Sequence, residues 1–121
     1  MAHCLVIDDA TVVRKVARRI LEDFGFDVSE AEDGEAGLEL CRQQMPDAIL
    51  VDWSMPVMDG FDFVKALRRE PAGNRPKVVF CTTEHDVAQI ARAMRAGADD
   101  FVLKPFDRET IEAKLQEIGL I

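Results

Sequence analysis

AILVDWSMPVMDG (residues 48–60) runs from four apolar side chains directly into Asp52, turns through Pro56 and closes on Asp59 and Gly60. An apolar run of this length bounded by turn residues reads as a strand buried on both faces, because it is too short for a helix. Working outward, the pattern recurs. CLVI (4–7) stops at Asp8 and Asp9, VVFC (78–81) stops at Thr82, and FVL (101–103) stops at Lys104 and Pro105, while FDVSEA (26–31) alternates weakly like a further strand.

Between the strands lie helical patterns. TVVRKVARRILEDFG (11–25) spaces Val12, Val13, Val16, Ile20 and Phe24 along one side and Arg14, Lys15, Arg18 and Arg19 along the other, with Gly25 as terminator. Asp33 is placed to cap GEAGLELCRQQ (34–44). FDFVKALRRE (61–70) reads as a helix through Phe61, Val64 and Leu67, and DVAQIARAMRAG (86–97) as one with Val87, Ile90, Ala91 and Met94 inward. The last carries Ile111, Leu115 and Ile118 on one face. Five strands alternating with five helices predict an α/β domain, a parallel sheet covered on both faces.

Composition narrows the function. A chain of 121 residues has the length of one domain and buries roughly two thirds of its unfolded surface. Its formal charge of −8, from 15 Lys and Arg against 23 Asp and Glu, repels phosphate backbones and anionic lipid, so neither nucleic acid nor membrane is an expected partner. Cys4, Cys41 and Cys81 lack metal-ligand spacing and read as reduced core thiols. The opening MAHCLVID has no signal-peptide pattern, and a cytoplasmic location is expected.

The strand ends carry the chemistry. In open α/β sheets ligands bind outside the carboxyl ends of the strands, where strand order reverses. With the order 2-1-3-4-5, Asp8, Asp9, Asp52, Thr82 and Lys104 would share that rim. Crowded carboxylates repel one another unless a hard divalent cation such as Mg²⁺ neutralises them. A carboxylate can also attack phosphorus to give an acyl phosphate, which points to Asp52 as nucleophile with Thr82 and Lys104 as phosphoryl contacts.

With IDD (7–9), VDWSMPVMDG (51–60), CTT (81–83) and LKPF (103–106) in order, the sequence resembles the receiver domain of two-component response regulators over essentially its whole length. The resemblance implies a (βα)5 doubly wound flavodoxin-like fold, order 2-1-3-4-5, in one receiver domain without an output domain. It implies Asp52 as the phosphoacceptor for a histidine kinase, Asp9 as a direct Mg²⁺ ligand, Asp8 as a ligand through water, and Ser54 as a ligand through its backbone carbonyl. Thr82 and Phe101 are the implied switch pair, and Lys104-Pro105 an implied cis bond. A downstream target is expected on the face of helix four, strand five and helix five, with the chain monomeric. DW followed by MP resembles the chemotaxis and motility branch, in which Ser54, Thr83 and Phe101 replace common Asn, Ala and Tyr.

Rival readings remain open at this point. A Mg²⁺-dependent aspartyl phosphohydrolase would want a DxD motif, where this chain has adjacent Asp8 and Asp9. A flavin module would want more hydroxyls than DDATVV (8–13) offers. A docking module without phosphorylation, and a phosphate sink or shuttle, use the same residues differently. Asp59-Gly60 reads as turn chemistry with Gly at positive φ, Trp53 as partly buried packing, and His3 and His85 as surface or strand-end residues. The Arg14, Lys15, Arg18 and Arg19 stripe reads as a solvated face or a dock for an acidic kinase domain, and Met94 as core.

Overall fold

A computed structural model describes residues 2–83 and 87–121, so His85 lies outside the described residues. Along the chain run β1 (His3–Ile7), α1 (Thr11–Asp23), β2 (Asp27–Ala31), α2 (Gly34–Gln43), β3 (Ala48–Asp52), α3 (Gly60–Arg69), β4 (Lys77–Thr82), α4 (Val87–Ala96), β5 (Asp100–Leu103) and α5 (Arg108–Glu117). All four strand pairings are parallel and the order is β2-β1-β3-β4-β5. The reversal falls between β1 and β3, in the register Ile7 to Val51, so the two strands end side by side.

Period-two alternation divides the core into two layers. Cys4, Val6, Ala48, Leu50, Val79 and Cys81 face α1 and α5, where Ala17, Ile20, Leu21, Ile111 and Leu115 are buried. Leu5, Ile7, Ile49, Val51, Val78 and Phe80 face α2, α3 and α4, meeting Leu38, Phe63, Val64, Leu67 and Ala93. Every residue of β3 is buried, which explains its continuous apolar run. The three cysteines are free and buried; desolvation pushes the Cys41 thiol up to about 11 and Cys81 up to about 12.

Caps set the helix starts. Asp33, Asp59 and Asp107 each accept a hydrogen bond from a backbone N–H three residues on, at 2.8, 2.8 and 2.9 Å. Gly60 does not carry the positive φ expected of it. A Cβ there would lie 2.4 Å from the Asp52 carbonyl oxygen, so glycine is needed for close approach. The left-handed residue of this turn is Val57, at φ 69°.

Two helix faces differ from the sequence expectation. Val12 is 75% and Val16 46% exposed, because α1 turns the line of Ala17, Ile20 and Leu21 to the sheet instead. In α4, Val87 is 74% and Met94 39% exposed, and Ala93 takes the buried position. Both helices carry more apolar surface than one core-facing arc accommodates, and the neighbours decide which part is buried. On α3 the buried aromatic is Phe63, while Phe61 sits half-buried under Arg92.

Candidate functional site

The continuous runs of β1 and β3 bring Asp8 and Asp52 to adjacent strand ends, and both are buried. Asp8 is fixed at both ends of the residue. Its N–H donates to Ala31 O at 3.1 Å, its Oδ1 accepts from the Ala10 N–H at 2.9 Å, and its carbonyl accepts from Arg14 Nη1 at 2.7 Å. Beyond β3, the Trp53 N–H donates to Cys81 O and the Gly60 N–H to Trp53 O, both at 3.0 Å, which fold the following turn back over the strand end. Trp53 packs against Phe61 and Phe80, with ring centroids 6.2 and 5.6 Å away, matching its reading as partly buried packing.

Lys104 reaches this rim from the far side of β4. Its N–H donates to Thr82 O at 2.7 Å, extending the ladder past β5, and the Lys104-Pro105 bond is cis. The ammonium Nζ donates to Asp8 Oδ2 at 2.6 Å and to Asp52 Oδ1 at 2.9 Å. Exposed Asp9 completes the group: one carboxylate oxygen each of Asp8, Asp9 and Asp52 lies within 4.8 Å of the others. Ser54 is exposed in the turn, and Thr82 is buried at the end of β4.

Charge in this cluster is unbalanced. Burial pushes the Asp52 carboxyl above its ordinary range; Lys104 opposes the shift, and the Asp8 and Asp9 charges add to it. Burial works against the Lys104 charge, but its hydrogen bonds to Asp52 and Asp8 win, and its ammonium is held above the usual value. Three ionised carboxylates around one ammonium leave the group two positive charges short of neutrality. An oxygen-only donor set of this kind fits a hard divalent cation such as Mg²⁺, which accepts one or two carboxylates and retains waters.

Two further features border the cluster. Trp53, Phe80, Thr82, Ile90, Ala93 and Phe101 line a small cavity that joins the end of β4 to α4 and β5. On the other side Val12, Val13, Val16, Thr83, Pro105 and Phe106 line an apolar recess of about 340 Å³ that has Lys104 in its wall. This recess was not expected from the sequence, although Val12 and Val16, four residues apart beside the first acidic pair, are its visible trace. Arg14, Lys15 and Arg18 are not a free stripe either. They converge on Glu30 of β2, at 3.2, 2.9 and 2.7 Å. His3, at the start of β1, pairs its ring with Ser29 Oγ at 2.9 Å, away from the acidic rim.

Comparison with known proteins agrees with this geometry. The chain is 33% identical over 115 residues to the chemotaxis protein CheY-3 of Vibrio cholerae, covering 94% of this chain and 88% of that one. It is equally identical over 114 residues to a probable transcriptional regulator, ycf27, of Guillardia theta, but spans only 44% of that protein's length. Its fold superposes on the chemotaxis protein CheY4 of Vibrio cholerae with a TM-score of 0.93 at 34% identity, covering 98% of both chains. Residues 4–116, which include every strand end described above, match the response regulator receiver domain, and the chain belongs to that family.

Proposed function

We propose that Asp52 accepts a phosphoryl group from the phosphohistidine of a histidine kinase in the presence of Mg²⁺, and that the adduct changes the chain's affinity for a target protein. The observation that carries this reading is the placement of Asp52 at the reversal of the sheet, between Lys104 and the acidic pair. In the transfer, an Asp52 oxygen attacks phosphorus while the bond to the donor's imidazole nitrogen breaks, and the imidazole leaves with the electron pair. Lys104 holds charge on the transferring oxygens, and Thr82 contributes a hydroxyl from the next strand. When bound by Asp9 and Asp52, with Asp8 through water and the Ser54 carbonyl, Mg²⁺ would supply the charge that offsets these carboxylates.

The donor must approach the same rim, and the recess lined by Val12, Val16, Pro105 and Phe106 gives an apolar seat beside Lys104. Output follows from a population shift: a dianionic adduct favours the arrangement in which Thr82 turns toward it and Phe101 occupies the released space. The target then docks on α4, β5 and α5, where Val87, Met94 and Leu103 are exposed. The resemblance to chemotaxis proteins supports a role in chemotaxis or motility signalling.

Beryllofluoride, a mimic of the phosphoryl group, tests the reading through Trp53. With Mg²⁺ present, wild type is expected to change fluorescence saturably and Asp52→Asn not at all. An identical response from both proteins overturns the assignment of Asp52.

A further inference from the structure

The helix α4, which borders the small cavity near Thr82, also forms a groove with α3. Lys65, Arg68 and Arg69 from α3 and Arg92 and Arg95 from α4 line it, with Phe61 and Ala96 as its apolar part, around a volume of about 390 Å³. Among the described residues no carboxylate lines it. That is unusual for a chain with 23 acidic residues and a charge of −8, since five of its 15 Lys and Arg gather here.

Outside the groove seven of the ten other Lys and Arg are ion-paired among the described residues, the exceptions being Arg19, Arg75 and Lys77. Arg14, Lys15 and Arg18 are paired with Glu30, Arg42 with Glu70, Arg108 with Asp23, Lys114 with Asp100 and Lys104 with Asp8 and Asp52. Within the groove, among the described residues, only Arg68 has such a partner, Asp99 at 3.2 Å, and it also donates to the carbonyls of Gly73, Pro76 and Gly97. Lys65, Arg69, Arg92 and Arg95 have no ion pair among the described residues. Spacing of three or four residues sets these like charges side by side on each helix, which costs stability.

Arg92 is also held in place. Its guanidinium lies 4.0 Å from the Phe61 ring centroid, and Lys65 Nζ lies 5.3 Å from the same ring. Stacking on a ring leaves the in-plane N–H donors available, and a weakly hydrated guanidinium gives up water readily to a carboxylate. We infer that the α3–α4 groove is a docking site for a short acidic segment of a partner protein, rich in Asp or Glu. Helices of this length run about 15 Å, so the groove covers roughly five residues of extended chain. A nucleic acid would extend beyond it onto a surface whose net charge is negative and would be repelled. The inference does not depend on phosphoryl transfer at Asp52.

Trp53, whose ring centroid is 6.2 Å from that of Phe61, is a built-in reporter. Full-length protein titrated with a Glu- and Asp-rich peptide is expected to give a saturable change that weakens about tenfold from low to physiological salt. The same peptide with Gln and Asn in place of its acids should give none. The double variant Arg92→Gln/Arg95→Gln should lose at least tenfold in affinity, and Lys65→Gln/Arg69→Gln serves as a second variant should the first not fold. Arg19→Gln, on the exposed side of α1, should bind as wild type does. Undiminished binding by both groove variants, a salt-independent response, or binding of a short oligonucleotide in place of the peptide overturns the inference.

Discussion

Two ionic clusters flank β1 in inverse proportion. At its end three carboxylates, Asp8, Asp9 and Asp52, surround the ammonium of Lys104; beside it three cations, Arg14, Lys15 and Arg18, surround the carboxylate of Glu30, which stands opposite Val6 in the sheet. Arg14 belongs to both neighbourhoods, donating to Glu30 Oε1 at 3.2 Å and to the Asp8 carbonyl at 2.7 Å. Burial opposes the charge on Glu30 and on Asp52, yet the outcomes differ. Hydrogen bonds from Lys15, Arg18 and Arg14 bring Glu30 down to about 2, whereas Asp52 is pushed up because Asp8 and Asp9 add to its burial and Lys104 cannot offset both. The Glu30 cluster is closed and structural. The Asp52 cluster is short of positive charge, the deficit that the proposed divalent cation would offset before a phosphoryl group is taken up.

Removing Lys104, the cation paired with Asp8 and Asp52, should break the contrast most severely. Lys104→Met leaves buried Asp8 and Asp52 facing each other, and a loss of about 2–3 kcal/mol in urea unfolding without divalent cations is expected. Next in size is Glu30→Gln, expected to cost about 1–2 kcal/mol, since the three cations lose their charged acceptor. Because the folded acid is depressed, this contribution is complete above the unfolded value of 4.5 and disappears as pH falls toward about 2. Wild type and Glu30→Gln should therefore converge in stability across that window; a constant gap down to the acid limit removes the charge-assisted account.

Neutralising an acid of the other cluster should act in the opposite direction. Asp52→Asn is expected to raise stability modestly in metal-free buffer, because a carboxyl that burial holds above its ordinary range costs stability when ionised. The gain should shrink on acidification, as wild-type Asp52 takes up a proton. Mg²⁺ should reverse the ranking, raising the melting temperature of wild type and leaving Asp52→Asn nearly unchanged. The smallest effect concerns the turn that follows Asp52. Val57 is β-branched, exposed and left-handed, so Val57→Asn should stabilise by about 0.5–1 kcal/mol in thermal unfolding, without altering Mg²⁺ affinity.

The acidic cluster was legible in the sequence and the basic one was not, for a physical reason. Strands buried on both faces leave continuous apolar runs, and a run that stops at Asp8, Asp52, Thr82 or Lys104 marks the strand end and the site together. The Glu30 cluster joins α1 to β2 through side chains 12 to 16 residues apart, and no periodicity within either element encodes that meeting. Faces of α1 and α4 were misread for a related cause. Val12 and Val16 obey helical spacing as well as Ala17 and Leu21 do, and only the position of the sheet decides between them. Gly60 was legible as a glycine-requiring position but not for its reason, which is the Asp52 carbonyl against its Cα.

On the proposed function, the charge-deficient acidic cluster takes up a phosphoryl group on Asp52 when a divalent cation is present. Intact-mass spectrometry after incubation with a small acyl-phosphate donor tests it most directly, comparing wild type with Asp52→Asn, each with Mg²⁺ and with chelator. One phosphoryl group on wild type with Mg²⁺, and none in the other three samples, is the predicted result. Equal modification of Asp52→Asn, or uptake by wild type in chelator at an undiminished rate, contradicts it.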